Sequence, residues 1–294
     1  MKIDIDKNAG FCWGVVKTIE LVESELNKNH KEDIYVLGDI IHNPREIERL
    51  ESKSLKTVKH DKLELLETQK TEVIIRAHGE PPSTYTKLEN LGLNVIDATC
   101  PLVKNLQQRV RKFYLDGWRV MIFGKKSHAE VIGLRGVCND DCVVIKNVEE
   151  AIDNIDYERK TMLFSQTTMD KPGYKNIKDA LRNKFKERYP ESYSEMFVAK
   201  DTICKFVSNR EPQLRKFASE HEIVLFVAGR DSSNGKSLFN VCKSVNDRTI
   251  FIESYEEIEI ERIKKAESIG ITGATSTPQW YMEKVKEKLT EAIG

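Results

Sequence analysis

Residues 93–124 read LNVIDATCPLVKNLQQRVRKFYLDGWRVMIFG. Leu93–Asp97 is a short apolar run, Ala98-Thr99-Cys100-Pro101 a turn, Pro101–Tyr114 an amphipathic stretch, and Arg119–Gly124 a second apolar run. The runs are nearly continuous and rich in Val, Ile and Phe, as parallel strands buried on both faces are. Proline favours the first helical position, so Pro101 opens a helix and leaves Cys100 at its N-terminus. Strand, turn, helix and second strand together make a βαβ unit.

The same alternation fills the chain. Further apolar runs occupy Lys2–Asp6, Asp33–Ile40, Glu72–Ala77, Lys160–Ser165, Glu222–Gly229, Arg248–Glu253 and Ser268–Gly273. Helical stretches cover Val15–Asn27, Tyr174–Arg188, Gln213–Glu220 and Gln279–Ala292, and Pro212 is expected to delay the helix that precedes Glu222. The charged segments Glu149–Lys160 and Tyr255–Lys265 read as solvated faces. The class is α/β. With 294 residues, the chain is too short for eight full barrel units with standard helices, and several small sheets suit it at least as well. Cys12, Cys100 and Cys204 recur about once per 100 residues, each near the start of a new α/β segment. Three similar α/β lobes with small, mostly parallel sheets are therefore expected, one cysteine from each. The expected boundaries are 1–98 (with the N-terminal strand and Cys12), 99–199 (Cys100) and 200–294 (Cys204 and the C-terminal helix).

Composition excludes some functions. The 47 basic and 47 acidic residues cancel, which argues against a broad nucleic-acid face. No apolar run approaches the roughly 20 residues of a membrane span. The start, Met-Lys-Ile-Asp-Ile-Asp, lacks a signal core, so a cytoplasmic location is expected. Six widely and unevenly spaced cysteines do not resemble a secreted disulfide framework.

Ligands of open α/β sheets bind beyond the carboxyl ends of the strands. There the sequence places His42, His78, Cys100, His128 with Glu130, Gln166-Thr167-Thr168, Ser232-Ser233-Asn234 and Thr275-Ser276. His30, His60 and His221 fall in charged surroundings elsewhere. Cys12, Cys100 and Cys204 each precede a helix, whose N-terminal N–H groups favour the thiolate that binds metal. Spacing alone does not choose zinc over iron. Cys138 and Cys142 lack the second Cys/His pair of a zinc finger, and Cys242 reads as core. Gly229–Ser237 is similar to a P-loop but one residue too long between its glycines. Its hydroxyls and amide suit a phosphate all the same.

These motifs together resemble the 4-hydroxy-3-methylbut-2-enyl diphosphate reductase family. The resemblance rests on Gly10-Phe11-Cys12-Trp13-Gly14-Val15, Ile41-His42-Asn43, Ala77-His78-Gly79, Asp97-Ala98-Thr99-Cys100-Pro101-Leu102-Val103, His128-Ala129-Glu130-Val131, Gln166-Thr167-Thr168, Asp201-Thr202-Ile203-Cys204, Ser232-Ser233-Asn234 and Gly273-Ala274-Thr275-Ser276-Thr277-Pro278. It implies three lobes arranged around a central iron–sulfur cluster. That is one 4Fe–4S cluster held by Cys12, Cys100 and Cys204, with an open fourth iron for the substrate hydroxyl. It implies that His42, His78, His128, Thr167, Ser232, Ser233, Asn234 and Ser276 surround a five-carbon allylic diphosphate, with Glu130 relaying the proton. It further implies a transient ferredoxin or flavodoxin electron donor and no nucleic-acid or membrane partner. Ala129, where the family often has proline, and the bulky Trp13 are departures that remove no implied ligand. The rivals are a P-loop-like nucleotide-binding enzyme at Gly229–Ser237 and a non-catalytic iron–sulfur sensor.

Overall fold

The computed structural model describes residues 1–28, 33–66 and 71–293; His30 lies outside them. In chain order the first elements are β1 (Lys2–Ile5), α1 (Trp13–Asn27), β2 (Asp33–Leu37), α2 (Pro44–Glu51), β3 (Lys56–Val58), β4 (Thr71–Ile75), α3 (Pro82–Asn90), β5 (Asn94–Asp97) and α4 (Pro101–Leu115). Then come β6 (Arg119–Phe123), α5 (Ala129–Gly136), β7 (Val143–Ile145), α6 (Val148–Asp153), β8 (Thr161–Ser165), α7 (Lys171–Arg188), α8 (Tyr193–Met196) and β9 (Phe197–Ala199). The last are α9 (Lys205–Ser219), β10 (Ile223–Val227), α10 (Ser233–Val245), β11 (Thr249–Ile252), α11 (Ile260–Ile263), β12 (Ser268–Gly273) and α12 (Gln279–Ile293).

The strands form three four-stranded sheets in the orders β11-β10-β12-β1, β3-β2-β4-β5 and β7-β6-β8-β9. Every pairing among them is parallel. The three orders are one topology. The first two strands of each set lie on one side, the third crosses back beside the first, and the fourth closes the far edge. In the first sheet that fourth strand is β1, drawn from the opposite end of the chain. Central strands are apolar throughout because helices cover both faces. Ile223, Leu225 and Val227 of β10 share a core with Tyr281, Val285 and Leu289 of α12. Val224 and Phe226 face Leu214 of α9 and Leu238 of α10. In β6, Met121 and Phe123 pack on α7, while Val120 and Ile122 meet Leu106 and Val110 of α4.

The described residues form two compact units. One holds Met1–Asn27, Asp39–Leu55 and Lys205–Gly294; the other holds Lys28–Gly38 and Lys56–Cys204. In the first unit, Arg45 donates to Ser254 Oγ at 2.6 Å and Trp280 Nε1 to Glu46 at 2.8 Å, which ties α2 to the β11 and α12 segments.

Two expectations change. The sheets β2–β5 and β6–β9 are each contiguous in the chain, but β1, expected with the lobe 1–98, joins the β10–β12 sheet of the stretch 200–294. Cys100 follows the last strand of the β2–β5 sheet, Cys204 the last strand of the β6–β9 sheet, and Cys12 follows β1. Each cysteine was expected one lobe later because the next helix packs elsewhere. The strand β5 belongs to one sheet, while α4, directly after Cys100, packs on the next. Pro212 does not delay a helix either: α9 starts at Lys205 and carries Pro212 inside it. A buried stripe of Val207, Arg210, Leu214 and Ala218 spans the proline and holds the helix through the missing hydrogen bond.

Candidate active site

Three cysteine amides are fixed in the same way. The Cys12 N–H donates to Thr275 O at 3.1 Å, the Cys100 N–H to Ala77 O at 3.0 Å, and the Cys204 N–H to Thr167 O at 2.8 Å. Each acceptor lies two residues past the end of the neighbouring strand, β12, β4 or β8. The chain leaving the edge strand thus keeps running beside its neighbour, and the thiol arrives just where a helix begins. Pro101 at the first position of α4 fits this, and the Leu102 and Val103 N–H groups point at the Cys100 sulfur. At Cys100 the expected preference for thiolate is nonetheless outweighed. Burial pushes the Cys100 thiol up, and the nearby Cys204 and Glu130 add to the rise.

The site residues divide between the units. Cys12, His42, Ser232, Ser233, Asn234 and Ser276 lie in the first; His78, Cys100, His128, Glu130, Thr167 and Cys204 lie in the second.

In the second unit, β6 and β8 are adjacent, so their C-terminal loops meet. Glu130, in the first turn of α5, is 1% exposed. Its carboxylate accepts from the Thr167 N–H and the Thr167 hydroxyl, both at 2.7 Å. Burial pushes its pKa up to about 7, against the partial relief of those two bonds. His128 caps α5: its Nδ1 accepts the Glu130 N–H at 3.2 Å, which leaves the ring proton of the neutral form on Nε2. His78 meets His128 edge to face, with ring centroids 5.3 Å apart. Gly79 turns the His78 loop at φ +70, where a Cβ would press on Gln107 and Thr99. Thr202 locks the Cys204 loop by accepting from the Ser165 N–H at 2.8 Å and donating to Ser165 O at 2.6 Å.

In the first unit, Ser232 caps α10 by accepting the Gly235 N–H at 2.9 Å, and its Oγ lies 3.3 Å from Ser276 Oγ. Asn234 Oδ1 accepts from the Thr275 N–H at 2.9 Å and the Thr275 hydroxyl at 2.8 Å. Its buried Nδ2 has no hydrogen-bond partner among the described residues. Hydroxyls, an amide donor and a helix N-terminus are the neutral donors that could hold an anion. Gly229 brings β10 close to the His42 loop, since a Cβ there would strike the His42 carbonyl. The P-loop alternative loses its support here. Ser233–Gly235 already forms the first turn of α10, and Lys236 is exposed on that helix instead of facing a phosphate loop.

Several supporting residues were quoted within motifs but given no role of their own. Thr275 orients Asn234, and Thr202 fixes the Cys204 loop. Gln166, fully buried, accepts the Lys125 N–H at 3.1 Å and donates to Thr168 at 2.7 Å, joining the β6 and β8 loops. Their signal was position: each lies next to a proposed site residue or in the same loop.

The LytB protein family model matches residues 3–290. A 4-hydroxy-3-methylbut-2-enyl diphosphate reductase of Chloroherpeton thalassium is 46% identical, covering 98% of this chain and 96% of that one. A reductase of the same name from Parabacteroides distasonis is 42% identical over 99% of this chain and 98% of its own. A solved (E)-4-hydroxy-3-methyl-but-2-enyl diphosphate reductase, described as the terminal enzyme of the non-mevalonate pathway, aligns at TM-score 0.70 with 31% identity, over 99% of this chain and all of that one (100%). The corresponding reductase of Plasmodium falciparum aligns at TM-score 0.85 with 27% identity, over 98% and 88% of the two chains. With a match that runs almost from end to end, and the motif residues gathered at the C-terminal ends of parallel strands, the chain belongs to the LytB family.

Proposed function

We propose that this protein is a 4-hydroxy-3-methylbut-2-enyl diphosphate reductase that works with an iron–sulfur cluster. It replaces the allylic hydroxyl of its substrate by hydrogen. Two electrons and two protons enter, water leaves, and isopentenyl and dimethylallyl diphosphate are the products. One observation carries the reading: the buried acid Glu130 is bonded to Thr167, and Thr167 also holds the amide of Cys204. A proton source and a candidate metal ligand are thereby joined through one residue.

The donor set fits a thiolate-held cluster. Three cysteines arrive by one backbone device, and amide N–H groups at Cys100 are ready to stabilise a bound sulfur. Cys12, Cys100 and Cys204 would hold a 4Fe–4S cluster with one iron free of protein thiolate. When bound, it supplies Lewis acidity and an electron route. The chain's own residues do the rest. Ser232, Ser233, Ser276 and the Asn234 Nδ2 donor bind the diphosphate, with His42, His78 and His128 as further donors. Glu130, with a pKa near neutrality, is partly protonated at working pH and gives its proton through the Thr167 hydroxyl to the departing oxygen. Its full burial keeps that proton from bulk water.

Electrons come from a ferredoxin or flavodoxin in a transient contact. The cytoplasm, which keeps thiols reduced, suits the three ligands; no described helix is long and apolar enough to cross a membrane. A non-catalytic sensor is disfavoured because sensing iron needs neither a buried acid nor an anion site. The test is iron and sulfide content of anaerobically purified protein beside Cys12→Ser, Cys100→Ser and Cys204→Ser. Wild type should bind iron and each variant should lose most of it; iron binding that ignores all three substitutions refutes the assignment.

A further inference from the structure

Cys138 and Cys142 take no part in the chemistry above. Both lie in the second unit, in the turn from α5 to β7. Cys138 is fully buried (0% exposed) among Leu106, Val110, Ile122, Leu134 and Phe164, and the partly exposed Cys142 packs against the same cluster. The turn between them is specialised. Asn139 and Asp140 are both left-handed, with φ 52 and 61, a region that asparagine and aspartate tolerate better than other residues with a side chain. The Asp140 N–H donates to Arg135 O at 3.0 Å and its carboxylate pairs with Arg135 at 2.9 Å. The Asp141 N–H closes back on Cys138 O at 2.9 Å. Two adjacent residues held in a sparsely populated conformation thus return the chain so that both thiols pack against one cluster, where the Cys138 S–H donates to Leu134 O at 3.3 Å.

The pair is chemically uneven. The neighbouring Cys138 thiol holds Cys142 below the ordinary thiol range, and the Arg135 charge adds to this. Cys138 is held protonated by the same contact and by burial. Among the described residues, no third His, Cys or carboxylate joins them as a metal-binding group. A partly exposed nucleophilic thiol against a buried partner is the arrangement of thiol–disulfide exchange.

We propose that Cys138 and Cys142 form a reversible intramolecular disulfide, a thiol-oxidation site distinct from the three site cysteines, with low-molecular-weight disulfides such as oxidised glutathione as the oxidant. The Cys142 thiolate attacks one glutathione sulfur, forming a mixed disulfide and releasing one glutathione thiolate. Cys138 then attacks the Cys142 sulfur and displaces the second. The two protein thiol protons end on the two released glutathiones, and the oxidant takes up the two electrons. The bond ties the end of α5, whose first turn holds Glu130, to the start of β7.

Anaerobically purified full-length protein is incubated with oxidised glutathione, quenched with N-ethylmaleimide in denaturant and mapped by peptide mass. The peptide containing Cys138 and Cys142 should lose both maleimide labels, carry no glutathione, and regain both labels after dithiothreitol. Cys138→Ser should stop at a glutathione adduct on Cys142, and Cys142→Ser should leave Cys138 labelled. Both labels retained in wild type, under conditions that modify Cys142 in Cys138→Ser, would overturn the proposal. So would a stable wild-type glutathione adduct, or no modification of Cys142 in either protein. The readout is confined to this peptide, so it stands apart from iron content and turnover.

Discussion

Replacing Glu130 by glutamine separates proton supply from architecture. The Thr167 N–H can still donate to the amide oxygen, and the Thr167 hydroxyl can rotate to accept from the new NH2 group, so both 2.7 Å contacts have successors. What disappears is the proton and the buried charge. The Glu130 pKa rises from its ordinary 4.5 to about 7, which corresponds to about 3 kcal/mol of penalty on the ionised form. The native state therefore binds more protons than the unfolded chain between those values, and wild-type stability falls as pH climbs from about 4.5 through about 7. Glu130→Gln has no such term. Urea denaturation across pH 4 to 8 should show the variant gaining on wild type by up to about 3 kcal/mol at the alkaline end and losing that gain below the ordinary carboxylate range. Turnover should drop by about 10²- to 10⁴-fold with iron content unchanged. A stability difference that is flat with pH, or a variant with full turnover, refutes the role given to Glu130.

Other substitutions probe the remaining parts. Thr167→Val removes one of the two bonds that stabilise ionised Glu130 and also the hydroxyl that passes its proton on, so turnover should fall, the pKa should climb further above 7 and the alkaline limb of the residual pH–rate profile should move up with it; an unmoved limb would count against the contact. Asn234→Asp keeps the acceptor for Thr275 but replaces the Nδ2 donor by an anionic oxygen, so the substrate KM should rise on the order of 10²-fold; an unchanged KM would remove Asn234 from the diphosphate site. Gly229→Ala drives a Cβ into the His42 carbonyl and should cost about 1–3 kcal/mol in urea denaturation, whereas a neutral effect would show that the loops separate freely.

The central strands were legible because burial on both faces leaves nearly unbroken apolar runs such as Ile223–Val227. The short edges β3, β7 and β9 were not; each has three residues and at least one that is partly or fully exposed, too little for a periodicity to register. The pairing of β1 with β12 was equally hidden, since a parallel edge strand carries no mark of its partner. Cys12, Cys100 and Cys204 stood out by their spacing and their helix starts, yet their sheet of origin did not, because strand and following helix serve different layers. Glu130 could be named from its motif, but its complete burial and both bonds to Thr167 depend on β6 and β8 being neighbours. Gly229–Ser237 is similar to a P-loop in sequence, but Lys236 is exposed in the fold because α10 starts earlier than a P-loop would allow.

The central claim, reduction of an allylic diphosphate at this site, is tested most directly by single-substrate turnover. Iron-loaded protein, kept anaerobic with an artificial one-electron reductant, is given 4-hydroxy-3-methylbut-2-enyl diphosphate, and products are identified by mass. The predicted result is loss of the hydroxyl oxygen as water and appearance of both five-carbon products, isopentenyl and dimethylallyl diphosphate. Iron-loaded protein that oxidises the reductant no faster with substrate than without it, and forms neither product, would contradict the account.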